Sequence, residues 1–309
     1  MINKEDLMKV KGRGFLRNRG TDCFSGRVVP VGTVFTAAHF AALAELAQKF
    51  GNGKLICTSR QAVEVPGIAF ENIEKAEAFA AANGLAFGGT GAKVRPITAC
   101  KGTTCVFGNI DTQQLATKIH KAFYEGWHHV TLPHKFKIGI GGCPNSCIKQ
   151  SLNDFGVEGC RTPDYSESLC RGCKTCAVEA TCPMQAAHLK DGKLVIDRAL
   201  CRDCGMCTGK CPFGAVAKET APRYRIFVGG TWGKSCRMGT ELSRLVSEDE
   251  VMPILEKCLL WFRQNGYQKE RFGKTIDRIG IAALEAAVFG DDILKEKEAI
   301  LAADLLTRD

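Results

Sequence analysis

Cysteine spacing constrains this chain more than any other feature of its sequence. The chain has seventeen cysteines among 309 residues, and twelve of them fall in closely spaced groups. A small secreted domain would use so many cysteines for disulfides, but the amino terminus (MINKEDLMKVKGRG) lacks the apolar stretch of a signal peptide. The grouped cysteines are therefore interpreted as metal ligands.

Two cysteine runs of similar form lie in the second half of the chain. Each contains the spacing C-x2-C-x2-C, followed by a fourth cysteine and a proline. This doubled pattern is typical of bacterial ferredoxins with two [4Fe–4S] clusters, in which the fourth cysteine of each run ligates the other cluster. The expected ligand sets are Cys170, Cys173, Cys176 and Cys211 for one cluster, and Cys201, Cys204, Cys207 and Cys182 for the other.

The first run departs from the usual pattern at its end. Five residues separate Cys176 from Cys182, where three are usual, so a small extra loop is expected there. Zinc ribbons also use C-x2-C pairs, but eight cysteines in this doubled arrangement favour iron–sulfur clusters over zinc.

A third cysteine group is split between two short segments. Cys100 and Cys105 lie in TACKGTTC, and Cys143 and Cys147 end the segment LPHKFKIGIGGCPNSC. Four thiolates from two short loops are what one [4Fe–4S] cluster needs. The sequence therefore predicts a third cluster, outside the ferredoxin-like runs.

Two lysines precede the second of these pairs. Lys135 and Lys137 are two residues apart on a strand-like stretch, so their side chains are expected to face the same cavity. Two cations aimed beside a metal cluster suggest an anion that is reduced there.

The amino-terminal part of the chain alternates strand and helix patterns. A β-branched stretch at 25–36 leads into a helix at 37–50, two short strands surround a turn at 59–61, and a second helix follows at 71–83. Strand, helix, strand, strand, helix is the order of a ferredoxin-like α+β half-domain.

Further elements are predicted after residue 90. Residues 111–127 form an amphipathic helix with Asp111 as its N-cap. The segment RYRIFV is a strand that runs into a glycine-rich basic loop, and three helices follow at 249–266, 269–290 and 291–306. Five cysteines outside the groups are expected to be small core residues. They are Cys23, Cys57, Cys160, Cys236 and Cys258.

Composition limits the partners. The formal net charge is +9 and the mean hydropathy is −0.07, which suits anionic ligands or acidic partners. The basic residues are dispersed and match no nucleic-acid-binding motif, so no nucleic acid partner is expected. No run of 18 apolar residues occurs, so we expect no membrane contact and a cytoplasmic location.

Together these motifs resemble the siroheme-dependent sulfite and nitrite reductases, and in particular the small anaerobic or dissimilatory-type members that carry an inserted ferredoxin domain. The resemblance implies a ferredoxin-like half-domain at 1–90 and an α/β siroheme and [4Fe–4S] domain at 91–160 and 222–309. The inserted two-cluster ferredoxin domain occupies 161–221. The implied cofactors are siroheme and three [4Fe–4S] clusters.

The resemblance also assigns roles to individual residues. Cys100, Cys105, Cys143 and Cys147 match the cluster ligands of the family, although the first pair is C-x4-C here and often C-x5-C in relatives. The sulfur of Cys147 is implied to bridge the cluster to the siroheme iron. The implied substrate site consists of Arg27, Arg95, Lys135 and Lys137, and the implied siroheme contacts are Arg60, Gln61, Asn145, Lys234 and Arg237.

The implied activity is the six-electron reduction of sulfite to sulfide. Two alternatives remain, namely reduction of nitrite to ammonia at the same site and a non-catalytic iron–sulfur subunit that only transfers electrons. The chain lacks a flavin or dinucleotide fingerprint, so the donor is expected to be a ferredoxin or a set of flavin and iron–sulfur subunits. Larger relatives repeat the half-domain and cluster-domain unit, which implies a homodimer or higher oligomer here, with active sites shared between two chains.

Overall fold

The amino-terminal part is an antiparallel sheet packed against helices. The structure is a computed structural model that describes residue 2 and residues 4–308. The sheet has the order β1-β2-β4-β3, with β5 paired to β2, and it shares one apolar core with the helices. Its elements are α1 (Lys4–Gly12), β1 (Phe15–Arg17), β2 (Cys23–Val29), α2 (Ala37–Phe50), β3 (Ile56–Cys57), β4 (Val63–Ala69), α3 (Ile73–Ala82) and β5 (Ala86–Phe87).

The order of elements predicted for this part is confirmed. Helix α2 begins after Thr36, whose hydroxyl accepts a hydrogen bond from the His39 amide, as an N-cap should. The predicted strand at 25–36 is too long, because β2 ends before Pro30 and a 3₁₀ turn follows at Val31–Thr33. Proline lacks the amide hydrogen that a ladder needs.

The larger part of the chain is a mixed five-stranded sheet with the order β12-β11-β8-β7-β6. Strands β6, β7 and β8 are parallel, and β11 is antiparallel to β8. The predicted cap of α4 is confirmed, since Asp111 accepts a hydrogen bond from the Gln114 amide. In chain order, and including three elements of the cysteine-rich segment described next, the helices and strands here are β6 (Thr98–Ala99), α4 (Thr112–Ile119), β7 (Ile138–Gly141), β8 (Phe155–Cys160), α5 (Ala177–Thr181), β9 (Ala187–Lys190), β10 (Lys193–Ile196), β11 (Arg223–Val228) and β12 (Thr240–Glu241).

A cysteine-rich segment, residues 161–222, connects the neighbouring strands β8 and β11. It contains α5 and the antiparallel pair β9–β10. Its small core consists of Val178, Ala187, Leu194 and Val216, and this core is separate from that of the larger sheet.

Five helices rather than three end the described part of the chain. The second predicted helix breaks at Gly280, which has a φ of 105° that L-residues rarely adopt. The third breaks at Glu296, which lies between two short helices. The helices are α6 (Glu248–Asn265), α7 (Phe272–Ile279), α8 (Ile281–Phe289), α9 (Asp292–Lys295) and α10 (Lys297–Ala302).

Aromatic packing ties these helices to the lysine segment. The ring of Phe136 lies 5.2 Å from that of Phe272 and 6.0 Å from that of Phe262, and all three side chains are fully buried. Alternate residues of an extended segment point to opposite sides. Burial of Phe136 therefore turns Lys135 and Lys137 away from this core.

Among residues 2 and 4–308, no helix is both long enough and apolar enough to cross a membrane.

Phe272→Ala tests the aromatic packing. Because the ring is fully buried, we expect the free energy of unfolding to fall by about 3 to 5 kcal/mol. Anaerobic denaturant titration followed by circular dichroism measures this. The control is Phe40→Ala, which truncates a ring that is 48% exposed; an equal loss in both variants would contradict the assignment of Phe272 to the core.

Candidate active site

Four cysteines line one cavity of about 290 Å³. Cys100 follows β6 and Cys143 lies just after β7. Because the carboxyl ends of parallel strands meet at one edge of a sheet, the two cysteine pairs come together. Burial raises the pKa of Cys143, and the three neighbouring thiols add to this. We call this group the inner site; it consists of Cys100, Cys105, Cys143 and Cys147.

Glycine is required beside the inner site. A Cβ added to Gly142 would lie 3.0 Å from the Gly102 Cα and 3.5 Å from the Cys100 sulfur. The Gly142 amide also donates a hydrogen bond to that sulfur over 3.1 Å. The two loops therefore approach closely only because these positions lack side chains.

Cys147 also borders a second cavity of about 290 Å³, here called the side cavity. Cys147 is exposed, and it and Ile148 are the two residues common to the linings of both cavities. The other side-cavity residues are Ser59, Arg60, Gln61, Thr98, Lys149 and Asn153.

The predicted cations line a third cavity of about 300 Å³, here called the basic cavity. Ser59 and Arg60 border it and the side cavity. The structure thus brings together all four predicted substrate-binding residues. The charged residues of the basic cavity are Arg27, Arg60, Arg95, Lys135 and Lys137.

The cations of the basic cavity differ in how far they are already paired. Arg27 donates hydrogen bonds to Glu64 (2.6 and 2.9 Å) and to the Gly89 carbonyl (3.0 Å). Arg95 also donates to the Gly89 carbonyl, but its buried Nε has no partner. Within the described part of the chain, the ammonium groups of Lys135 and Lys137 make no hydrogen bond or ion pair. These two lysines are free to bind an anion.

Lys137 has an acidic ammonium group. Burial, followed by repulsion from Arg60, Arg271 and Lys135, lowers the pKa of Lys137 to about 8. Burial lowers the pKa of Arg95 to about 10. An ammonium group with a pKa near neutrality can both bind an anion and donate a proton to it.

Arg60 and Gln61 join the half-domain to the larger sheet. The Arg60 guanidinium donates to the carbonyls of Pro96 (2.6 Å) and Ile138 (3.0 Å) and to Asn153 Oδ1 (3.0 Å). The Gln61 amide exchanges two hydrogen bonds with the backbone of Ala99. Both side chains border the side cavity, but their polar atoms also hold its walls in place.

The doubled cysteine runs supply the two other predicted ligand sets. Cys182, Cys201, Cys204 and Cys207 border one cavity, and we call them the middle site. The other predicted set, Cys170, Cys173, Cys176 and Cys211, is called the outer site; Cys170, Cys176 and Cys211 pack against the small core of the segment, and Cys173 is partly exposed.

Asn145 lies between the inner and middle sites. It borders the inner cavity and also a smaller one of about 180 Å³, which Cys143 and Cys204 share.

In the loop after β11, Arg237 donates to Asp277, to three backbone carbonyls and to Thr240. Its guanidinium therefore organises the loop, whereas Lys234 is exposed.

The expectation that five ungrouped cysteines are core residues is only partly correct. Cys160 and Cys258 are buried, and Cys23 is half-buried. Cys57 and Cys236 are exposed. Cys57 lies on the short strand β3, whose two residues both face solvent, and Cys236 lies in the loop that Arg237 closes.

Three residues near the site escaped the sequence analysis. Arg271 donates two hydrogen bonds to the fully buried Asp154 (2.8 and 2.9 Å), and Asp154 also accepts from the Lys137 amide. Lys149 borders the side cavity, and its ammonium lies 5.7 Å from the Trp232 ring. Only Lys149 had a local signal, since it follows Cys147 by two residues.

Comparison with known proteins identifies the family. Residues 90–297 match the model of the nitrite and sulphite reductase 4Fe-4S domain, and residues 17–83 match that of the nitrite/sulfite reductase ferredoxin-like half domain. The chain belongs to the nitrite and sulphite reductase family.

Two curated relatives come from sulfite reductases. The chain is 31% identical over 240 residues to a coenzyme F420-dependent sulfite reductase of Methanocaldococcus jannaschii, which covers 76% of this chain but 37% of the relative. It is 29% identical over 278 residues to one of the subunits of the anaerobic sulfite reductase of Salmonella typhimurium, which covers 82% of this chain and 75% of the relative. The chain thus spans little more than a third of the first relative.

The fold is shared with solved structures of the nitrite and sulphite reductase family. Dissimilatory sulfite reductase I superposes with a TM-score of 0.70 at 23% identity, over 86% of this chain and 69% of the other.

The residues present suit the groups typical of nitrite and sulphite reductases, which are siroheme and a [4Fe–4S] cluster. The inner site offers four cysteines around a cavity whose glycines leave room for inorganic sulfide. The side cavity offers Arg60 and Lys149 to the carboxylates of a macrocycle, beside the exposed sulfur of Cys147. Among the described residues, no three or more His, Cys, Asp or Glu side chains are placed so that they could hold a single metal ion.

Oxyanion binding should depend on pH through Lys137. Its pKa of about 8 lies below the usual lysine value, so the ammonium loses its proton as the pH rises through about 8. We expect the dissociation constant for sulfate, measured by calorimetry, to increase as the pH rises through about 8. Lys137→Arg should remove the pH dependence because arginine stays protonated; the same dependence in this variant would contradict the assignment.

Proposed function

We propose that this protein reduces sulfite to sulfide at a siroheme joined to a [4Fe–4S] cluster through the sulfur of Cys147. The observation that carries the proposal is that Cys147 borders two cavities. One cavity holds the other three cysteines of the inner site, and the other presents Arg60, Gln61 and Lys149. A thiolate in that position can ligate a cluster on one side and a macrocycle on the other.

Two further [4Fe–4S] clusters are proposed at the middle and outer sites. The middle site is the nearer of the two to the inner site, because Cys204 borders the same small cavity as Cys143. Electrons would therefore enter at the outer site and reach the inner site through the middle one. The electron source is proposed to be a separate ferredoxin or a set of flavin and iron–sulfur subunits.

The chain's own cations explain how an oxyanion can be bound and protonated. When bound, siroheme coupled to the inner cluster supplies electrons to the substrate. Lys135 and Lys137 have unpaired ammonium groups in the basic cavity, and they stabilise negative charge on the oxygens of sulfite. Each oxygen must leave as water, and Lys137, with a pKa of about 8, can donate protons near neutral pH.

Lys137 can also regain its proton from solvent, and Asp154 holds its backbone in place. Asp154 accepts a hydrogen bond from the Lys137 amide over 2.9 Å, which holds the backbone of the lysine while its side chain faces the cavity. Ser59, which borders the basic cavity, is exposed, so water can reach the cavity and a deprotonated lysine can recover its proton from solvent. Arg27 and Arg95 then serve mainly as fixed charges, since both are anchored to the Gly89 carbonyl.

Two chains are proposed to share each active site. Arg95 and Lys137 precede β6 and β7, whereas Cys100 and Cys143 follow them. The four residues of β7 span roughly 13 Å at about 3.3 Å per residue, so Arg95 and Lys137 lie at the opposite edge of the sheet from Cys100 and Cys143. Cys147 lies nearer to the cations, because its side cavity shares Ser59 and Arg60 with the basic cavity. In a twofold dimer, the basic cavity of one protomer can face Cys147 of its partner.

Nitrite is the second candidate substrate, because the same cations suit either anion. The sulfite reductases among the relatives favour sulfite. A purely electron-transferring subunit is less well supported, because a relay has no use for unpaired lysines in an anion-sized cavity.

The absorption spectrum of anaerobically purified protein tests the proposed function. We expect iron–sulfur absorption together with the bands of a tetrapyrrole that acid-acetone extracts. With a reduced viologen as donor, kcat/KM should be higher for sulfite than for nitrite. Protein with full iron content that neither contains nor takes up a tetrapyrrole would be an electron carrier only.

Two variants separate the roles of cation and thiolate. Lys137→Ala should keep all cofactors and lower turnover about 100-fold, as expected when one electrostatic contact to the transition state is lost. Cys147→Ser should instead lose the tetrapyrrole or its coupling to the cluster. Unchanged turnover of Lys137→Ala would show that the substrate binds elsewhere.

A mixed dimer of these two variants tests the shared site. Each variant alone should have at most about one hundredth of the wild-type turnover, but a dimer of one Lys137→Ala chain and one Cys147→Ser chain contains one intact composite site. Differently tagged chains allow the mixed dimer to be purified, and its activity should be about half that of the wild type. If each site belongs to a single chain, the mixed dimer stays inactive.

A further inference from the structure

A buried arginine lies where the cysteine-rich segment meets the larger sheet. Arg225 is on β11, and its side chain is 6% exposed. It donates hydrogen bonds to Glu158 on β8 over 2.7 Å, to Asp203 in the middle-site loop over 3.1 Å, and to Glu241 on β12 over 2.7 Å. Asp203 and Glu158 are each 5% exposed. One guanidinium thus joins carboxylates from two parts of the fold.

The network continues to the middle site. Arg198 donates to the other carboxylate oxygen of Asp203 over 2.7 Å and to the sulfur of Cys201 over 3.3 Å. Asp203 lies between the predicted ligands Cys201 and Cys204. Its side chain is therefore anchored within the loop that carries them.

The network also continues to the inner site. Gln150, which is fully buried, donates to the free oxygen of Glu158 over 2.6 Å. The Ser146 hydroxyl donates to the Gln150 side-chain oxygen over 3.1 Å. Ser146 lies between Cys143 and Cys147, so an unbroken series of polar contacts runs from one cysteine loop to the other.

Backbone contacts support the same junction. The Arg161 amide donates to the Asp203 carbonyl over 2.7 Å. The side-chain amide of Asn109 donates to the carbonyls of Gly159 (3.2 Å) and Cys204 (3.4 Å). The backbone N–H of Asn109 donates to the Gly142 carbonyl. These contacts are directional, so they define the orientation of the middle-site loop as well as its distance.

Apolar packing does not explain the junction. The cysteine-rich segment and the larger sheet have separate apolar cores. Burying several charges costs several kcal/mol per ion before pairing, so such a network contributes little net stability. A fully paired network does favour one arrangement over others, because any shift leaves a buried charge unpaired.

We propose that Arg225 is a positioning residue for electron transfer between the middle and inner sites. Together with Asp203, Glu158 and Gln150, it holds the two cysteine loops in one relative position. One electron then passes from the reduced middle cluster to the oxidised inner cluster across a constant gap. This role rests on the proposed function, because it requires that both sites carry clusters.

Arg225→Met tests this role by removing the guanidinium while keeping an unbranched apolar chain in place of the arginine stem. In dithionite-reduced wild-type protein, the paramagnetic middle cluster should broaden the electron paramagnetic resonance signal of the inner cluster, in addition to its coupling with the outer cluster. We expect the variant to retain its iron, to lose this broadening and to transfer electrons from the middle to the inner cluster about tenfold more slowly. Stopped-flow absorption measures the rate.

Conservative and matched variants make the test decisive. Arg225→Lys keeps the charge but cannot fork between Glu158 and Asp203, so it should restore only part of the broadening. Asp203→Asn keeps the loop and weakens the network, and it decides the test if Arg225→Met loses its clusters. Arg17→Met, which breaks an exposed ion pair with Asp22, should behave as the wild type.

The outcomes are separable from the proposed function. Wild-type broadening and transfer rate in both Arg225→Met and Asp203→Asn, at full iron content, would overturn the positioning role. Both measurements need only the clusters, with no tetrapyrrole or sulfite, so they decide the role even if the protein does not reduce sulfite. Increased hydrogen exchange of the backbone at 201–207 in Arg225→Met would independently support it.

Discussion

The parallel pairing of β6, β7 and β8 is the constraint on which the candidate site depends. Parallel strands bring like ends together, so residues that follow them meet at one edge and residues that precede them meet at the other. Cys100 and Cys143 follow β6 and β7, and Arg95 and Lys137 precede them. One sheet thus separates a thiol-rich edge, with Cys100 and Cys143, from a cationic edge, with Arg95 and Lys137.

This separation explains which parts of the site could be predicted from the sequence. Cysteine spacing is a local property, and it predicted the inner and middle groups. The alternation of side chains along a strand-like segment, also local, predicted that Lys135 and Lys137 face one cavity. Arg271 could not be predicted, because it lies more than a hundred residues from Asp154 and reaches the site only through packing of the carboxyl-terminal helices. The break at Gly280 was missed for a different reason, since helix-forming residues lie on both sides of it while the helical backbone is interrupted there.

Arg60 shows how one side chain can border a cavity and also join two parts of the fold. The resemblance assigned it to the siroheme, and it does border the side cavity. Its hydrogen bonds to Pro96, Ile138 and Asn153 also hold the half-domain on the larger sheet. A buried guanidinium with several carbonyl partners is an anchor, so the cavity wall and the joint between the two parts of the fold are the same structure.

Two buried carboxylates associated with β8 organise the two edges of the sheet. Asp154, just before the strand, pairs with Arg271 and holds the Lys137 backbone. Glu158, near its end, pairs with Arg225 and reaches the cysteine loops. Both arginines come from the part of the chain after the cysteine-rich segment. Since buried ion pairs add little net stability, their more direct consequence is geometric: the carboxyl-terminal part of the chain fixes the cationic edge through one pair and the thiol-rich edge through the other.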